Sequence, residues 1–191
     1  LSLAAFFWGY IEVKARKIGV ILFFVFAALA VLSKGPLGVI IPFAAVILFL
    51  AIKKEIKFLF CPAAAWGLAV FGLIALPWYI FVIKKFGSVF INEFFYNDHY
   101  RRLIEAEHRR NDKWYFYPAS MILCMFPWSL FTIASFFYLI KQLFKKSAKP
   151  VYLFIACWIF ATLCIFQAAH SKLASYIFPL FPALAVITAD F

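Results

Sequence analysis

Long apolar runs, each closed by a short polar cluster, set the plan of the chain. Leu1 to about Ile11 reads as the tail of one spanning helix, and Lys14, Arg16 and Lys17 follow as a basic turn. Ile18–Leu32 predicts a second, rather short span that ends at Ser33-Lys34-Gly35-Pro36. Leu37–Ile52 returns to Lys53, Lys54 and Lys57, and Phe58–Ile83 crosses again with Pro77 near its end. Lys84–Lys113 is the one long polar segment. Trp114–Ile140 crosses back, with Pro127 in its interior, and meets Lys141, Lys145, Lys146 and Lys149. Val151–Ala169 then crosses outward, and Leu173–Phe191 returns after His170-Ser171-Lys172. The expected fold is all-α: a polytopic transmembrane helical bundle of about six full or partial spans after an initial half span.

Composition agrees with this plan. The 191 residues are 67% hydrophobic and include 27 Phe, more than a water-soluble domain needs. Because Leu1 and Phe191 both stand inside apolar runs, residues 1–191 are read as one transmembrane domain fragment. On that reading an N-terminal part of the domain, and anything after 191, belong to a longer chain. Cys61, Cys124, Cys157 and Cys164 fall inside apolar runs at no metal-ligand spacing and read as free packing residues.

The net charge of +11 follows topology and is no nucleic-acid signal. Three short connections, at Lys14–Lys17, Lys53–Lys57 and Lys141–Lys149, hold Lys and Arg with only Glu12 and Glu55 beside them. The positive-inside rule assigns these to the cytoplasm. Lys34, the loop 84–113 and Lys172 then share the opposite side. The loop carries seven Lys/Arg against five acids, and long loops count little in the rule.

That shared side is where chemistry is expected. Lys34 interrupts an apolar run, where a cation at mid-membrane would cost about 2.5–3.5 kcal/mol and is therefore shallow, paired or functional. Pro36 suits the first turn of a new helix, so the corner predicts an ammonium beside free backbone N–H groups, which is an anion site. A lysine snorkelling at a hairpin tip is the plain alternative. From Ser88, an N-cap, Phe90, Ile91, Phe94 and Phe95 recur at helical spacing toward His99 and Arg102. This predicts an amphipathic interfacial helix within the loop, either as a brace or as part of a site. Trp114, Tyr115 and Tyr117 read as an aromatic belt with no further role.

Arg101 and Arg102 offer forked donors for phosphate oxygens, or else pair with Glu105 or Asp98 on a solvated face. Lys172 and Tyr176, four apart at a helix start, would share one face and can hold a phosphate or a sugar hydroxyl. Pro179 and Pro182 would distort that helix. His99 and His108, with Asp98, Glu105 or Glu107, allow a divalent metal, but their spacing matches no strong zinc pattern and no metal is assigned. No nucleophile–base motif or Gly-rich phosphate loop is present in the sequence.

The order of short motifs carries more than any one of them. Ser33-Lys-Gly-Pro36 is followed by Pro77-Trp-Tyr79, His99-Tyr-Arg-Arg-Leu103 and Glu107-His-Arg109. Then come Trp114-Tyr-Phe-Tyr-Pro118, Phe126-Pro-Trp-Ser129, Ser171-Lys-Leu-Ala-Ser-Tyr176 and Phe181-Pro-Ala-Leu184. Over nearly its whole length the chain resembles the membrane glycosyltransferases of the protein-mannosyltransferase and aminoarabinose-transferase group, which have the C-type glycosyltransferase fold. The resemblance implies transfer of a sugar from a polyprenyl-phosphate carrier to a lipid or protein acceptor on the non-cytoplasmic side. It implies a bacterial inner-membrane protein with its site toward the periplasm, membrane lipids as surroundings and no nucleic-acid partner. Lys34, Arg101 or Arg102, and Tyr176 would line the carrier-phosphate cavity, with Lys172, His99 and His108 nearby. The family's catalytic carboxylate belongs to a loop upstream of these residues, so no catalytic residue is assigned within 1–191. Asn97-Asp98 before His99 departs from the family pattern, which leaves the choice between the two arginines open. A transporter or flippase for a lipid-linked sugar, and a non-catalytic membrane scaffold, are the rival readings. The former needs intramembrane charge, for which Asp190 is the nearest candidate.

Overall fold

The computed structural model describes residues 1–94, 113–145, 147–169 and 171–191. The described residues are mostly helical, with no strand among them, and they divide into two compact units, Leu1–Ile91 and Asn92–Phe191. Three helices are long and apolar enough to cross a membrane, and a fourth crossing is counted if one sharply bent pair forms a single span. With three shorter apolar helices beside them, this is the polytopic all-α membrane architecture expected from the hydrophobic runs.

The first unit is built from α1 (Ser2–Ile11), α2 (Arg16–Lys34), α3 (Leu37–Lys53) and α4 (Pro62–Phe90). Short 3-10 turns at Val13–Ala15 and Ile56–Phe60 carry the basic connections. Its core is aromatic: Phe6, Phe23 and Phe49 are almost wholly buried. Phe6 meets Phe23 at 5.9 Å and Phe58 at 5.6 Å, while Tyr10 meets Phe49 at 4.9 Å between ring centroids. Lipid is as apolar as these rings, so it is tight packing, rather than escape from water, that favours their mutual contact. Polar atoms close the basic end of the unit. The Tyr10 hydroxyl donates to Glu55 Oε2 at 3.0 Å, and the Arg16 guanidinium lies 5.1 Å over the Phe58 ring.

In the second unit, α5 (Phe116–Cys124) and α6 (Ser129–Leu143) were expected as one crossing, Trp114–Ile140. They are instead bent by 120° at Met125–Trp128. Pro127 lacks an amide donor and its ring excludes a continuing helix, which accounts for the break. Ser129 Oγ donates back to the Ile122 carbonyl and closes the bend. Next, α7 (Pro150–Ala168) starts on a proline, whose missing N–H costs nothing there. The returning segment begins as a 3-10 helix, Ala174–Leu180, before α8 (Phe181–Asp190), in line with the distortion expected from Pro179 and Pro182.

The polar segment expected to be a loop from Lys84 is helical as far as Phe94, with α4 running on through a π turn. The chain changes direction at Gly87 (φ 57, ψ −135), one residue before the Ser88 expected to start a new helix. The rest of the proposed interfacial helix, from Phe95 through Leu103, lies outside the described residues.

Candidate functional site

In the first unit the candidate is the corner between α2 and α3. Gly35 ends α2 at φ 72, ψ −158, a region that residues with a Cβ avoid, and its N–H donates to the Val31 carbonyl at 2.8 Å. A Cβ on Gly38 would lie 2.4 Å from the Ala30 backbone, so both glycines are needed for α3 to fold back closely on α2. Tyr79, from the Pro-Trp-Tyr motif of α4, donates its hydroxyl to Val31 O at 3.1 Å and braces the last turn that carries Lys34. Lys34 itself is exposed at that turn. The amides of Gly38, Val39 and Ile40 donate to Gly35 and Pro36 carbonyls at 2.9–3.1 Å, so the helix start consumes donors expected to face an anion. What the corner offers is mainly the ammonium.

The second unit holds a different kind of site. Lys172 is 4% exposed and Ser171 1% exposed, and both precede the 3-10 helix on a stretch whose Leu173 is extended (φ −127, ψ 139). The predicted shared helical face of Lys172 and Tyr176 is therefore replaced by an extended-to-3-10 transition, because Lys172 and Leu173 lie before the helix begins. Tyr176 is half-buried, and its ring stacks on Phe166 of α7 at 5.4 Å. Tyr117 of α5 packs against the other end of this group, 6.3 Å from Phe166, with its hydroxyl beside the Leu173 amide and the Tyr176 phenol.

Tyr117 is the residue that sequence reasoning missed. It was grouped with Trp114 and Tyr115 in an aromatic belt, and those two are exposed as a belt requires, whereas Tyr117 is fully buried. Its place in Tyr-Pro, immediately before α5 turns into its helical run, gave no periodic signal to separate it from its neighbours.

Hydrogen bonding sets this group apart from the rest of the unit. Three buried hydroxyls elsewhere in the unit are satisfied: Thr132 by Trp128 O at 3.0 Å, Ser135 by Thr132 O at 2.7 Å, and Thr162 by Trp158 O at 2.8 Å. By contrast, Ser171 Oγ is buried without a hydrogen-bond partner among the described residues, and Tyr117 OH, beside the Leu173 amide, has no acceptor for its proton. A buried polar group left so costs about 1–3 kcal/mol, which makes each one a feature in need of a reason. The remaining case is Nε1 of Trp158, eight residues before Phe166 on α7, or about 12 Å along the helix. Beside Tyr117, a groove of about 200 Å³ with apolar walls opens between α5 and α6, lined by Pro118, Met121, Ile122, Ile133 and Phe136 among others.

Of the residues singled out from the sequence, Lys34 lies in one unit and Lys172 and Tyr176 in the other. Arg101, Arg102, His99, His108 and His170 lie outside the described residues. Among the described residues no three His, Cys, Asp or Glu side chains gather as a metal site. Asp190, considered for a transport pathway, is exposed at the end of α8 and accepts a 2.9 Å hydrogen bond from Tyr152 OH, which also meets Tyr138 OH at 3.3 Å. It serves as a tie between helices.

No family model matches the chain. An uncharacterized protein of Aquifex aeolicus is 32% identical over 160 residues, covering 84% of this chain and 35% of that protein. The undecaprenyl phosphate-alpha-4-amino-4-deoxy-L-arabinose arabinosyl transferase 1 of Proteus mirabilis is 31% identical over 167 residues, covering 87% of this chain and 29% of its own length. The crystal structure of ArnT from Cupriavidus metallidurans bound to undecaprenyl phosphate superposes with a TM-score of 0.84 at 23% identity, covering 99% of this chain and 34% of that one. The chain thus spans about a third of the length of the curated relatives and solved chains it matches. The likeness read from the order of motifs is present in sequence and in fold alike: the chain is similar to the aminoarabinose transferases along almost its whole length and shares the fold of about a third of the ArnT chain.

Proposed function

We propose that the protein is an integral-membrane glycosyltransferase that moves a sugar from a polyprenyl-phosphate carrier to a lipid or protein acceptor on the non-cytoplasmic side of a bacterial inner membrane. The observation that carries this reading is the gathering of a buried cation, Lys172, with the Tyr176 and Tyr117 phenols and Ser171 in one neighbourhood of an otherwise apolar helical unit, where polar side chains tend to mark function. Its similarity to proteins named for an undecaprenyl-phosphate-linked sugar supplies the class of anion. Transfer breaks the bond between the anomeric carbon and a phosphate oxygen, and the departing phosphate gains negative charge. Fixed cations and hydroxyls at that oxygen stabilise the transition state more than the bound donor. Lys34, Arg101 or Arg102, Lys172 and Tyr176 are assigned to that task, with His99 and His108 as further contacts to the donor. The carrier's hydrocarbon chain suits the apolar groove that begins at Pro118. The base that activates the acceptor is not assigned within residues 1–191, and the donor sugar is left at the level of a pentose or hexose.

The test is sugar transfer from a polyprenyl-phosphate donor by the full-length protein in liposomes, comparing wild type with Lys34→Ala and Tyr176→Phe. Loss of transfer in both is expected. Undiminished transfer by both variants rejects this phosphate site, and carrier movement across the bilayer without transfer favours a transporter.

A further inference from the structure

We infer that the hydroxyls of Tyr117 and Ser171, on either side of Lys172 along the α5–α7 seam of the second unit, form a subsite that receives an oxygen-rich headgroup. The inference rests on the glycosyltransferase reading and extends it to two residues that the sequence did not single out. Three observations converge. Both hydroxyls are enclosed, Tyr117 at 0% and Ser171 at 1% exposure; Ser171 Oγ has no hydrogen-bond partner among the described residues, and Tyr117 OH has only the Leu173 backbone amide beside its oxygen, with no acceptor for its own proton. Both belong to one neighbourhood: the Tyr117 hydroxyl lies at the Leu173 backbone, two residues from Ser171, a reach of at most about 7 Å of chain. The neighbourhood also contains the buried Lys172 and, through the Tyr117–Phe166–Tyr176 ring contacts, the Tyr176 phenol.

Helical hydroxyls can discharge their hydrogen bond onto a carbonyl one turn back, as Thr132, Ser135 and Thr162 do. Ser171 cannot, because it stands outside a helix at the bend after α7. The Tyr117 phenol is too long to reach its own backbone. The O–H donors of both residues, and the Ser171 oxygen as acceptor, are thus available to a ligand rich in oxygen atoms, which is the chemistry of sugar hydroxyls and of phosphate oxygens. In the empty protein the pair is a cost; with such a headgroup bound it becomes a set of buried hydrogen bonds beside a cation. Tyr117 would also position Tyr176, since a shift of its ring moves Phe166 and the phenol stacked on it.

The experiment uses the full-length protein in nanodiscs, with Tyr117→Phe and Ser171→Ala as variants that remove only a hydroxyl. Three quantities are read: the melting temperature, KM and kcat for the sugar-linked donor, and the Kd of undecaprenyl phosphate from tryptophan fluorescence. The expected result is an unchanged or raised melting temperature with about a tenfold rise in donor KM, the loss of one good hydrogen bond to a polar ligand. If the Kd of undecaprenyl phosphate rises in parallel, the subsite holds phosphate. If that Kd stays constant while donor KM rises, it holds the sugar. Donor KM and carrier Kd both within twofold of wild type in both variants overturn the inference, and so does a fall in melting temperature that accounts for all lost activity. A wild type that binds undecaprenyl phosphate through these hydroxyls yet transfers nothing would sink the glycosyltransferase reading while leaving the subsite standing.

Discussion

The two units bury different things. Leu1–Ile91 encloses Phe6, Phe23, Phe49 and small aliphatics, and Ser2 is the one polar residue among its described buried positions. Asn92–Phe191 encloses Ser120, Thr132, Ser135, Gln142, Thr162, Ser171 and Lys172. Their long spans are equally apolar, with mean hydropathy of 2.1–2.2, so the spans themselves do not separate the two units. What separates them is the use made of the interior. In the first unit the interior is packing alone, and its functional candidate, Lys34, sits at an exposed turn held by Gly35, Gly38 and Tyr79. In the second, polar side chains are drawn inside; Thr132, Ser135 and Thr162 are tied to helix carbonyls, and Ser171 beside Lys172 is not. Polar groups inside an apolar bundle are expensive and tend to mark function, which points to the second unit as the one where ligand chemistry and fold share the same residues.

The largest effect that tests this contrast is expected at Lys172. Lys172→Met keeps the unbranched shape and most of the length of the side chain and removes its charge. Transfer in the reconstituted full-length protein should fall by about 10²-fold or more, the scale seen when one preorganised electrostatic group is removed from a reaction centre. The loss should appear in kcat, measured at saturating donor, with the protein still folded by size-exclusion profile. A variant with wild-type kcat would show that the buried ammonium is structural and would erase the distinction between the units.

The matching change in the first unit is Phe49→Ala. Phe49 is fully buried among Phe6, Phe7 and Tyr10. Because lipid is the reference, little transfer energy is lost, and the expected cost is the cavity term, about 2–3 kcal/mol. It should be read as a lowered melting temperature in detergent, with turnover per folded molecule within twofold of wild type. If Phe49→Ala reduced kcat as strongly as Lys172→Met, the aromatic core would be part of the reaction machinery.

How much of this was visible in the sequence follows from what each feature depends on. The spans, the corner at Gly35 and the distortion by Pro179 and Pro182 are local effects of hydropathy, positive φ and missing donors, so the chain spells them out. The 120° bend at Met125–Trp128 was signalled by Pro127 but not its size, because that angle is set by what α5 and α6 find to pack against. The candidate site was only half legible. Lys172 and Tyr176 stood out as polar residues in an apolar run, whereas Tyr117 looked like its neighbours Trp114 and Tyr115. Burial of one tyrosine among three is decided by tertiary contact with Phe166 and Leu173, more than forty residues away in the sequence. The donors expected at the Lys34 corner went to the turn itself for a local reason: the first turn of α3 is tight enough for the amides of Gly38 and Val39 to reach carbonyls three residues back.

The smallest effect lies at the opposite, basic end of the first unit, and it sharpens the claim that this unit is built for packing alone. Lys54 ends α3 in the left-handed region (φ 58, ψ 30), with its own amide donating to Ala51 O at 3.0 Å and that of Glu55 to Leu50 O at 2.8 Å. This is the helix stop at which glycine is most at ease, since a Cβ there strains against the backbone. Lys54→Gly should therefore stabilise the folded protein by about 0.5–1 kcal/mol, the relief of strain exceeding the greater freedom of the unfolded chain. The gain should be visible as a small rise in melting temperature in detergent, at unchanged donor KM and kcat. A fall in melting temperature would mean that the Lys54 side chain contributes more by contact with its surroundings than its backbone loses by strain, so that the basic connection is a bonded part of the unit and not merely a turn that carries charge to the membrane surface.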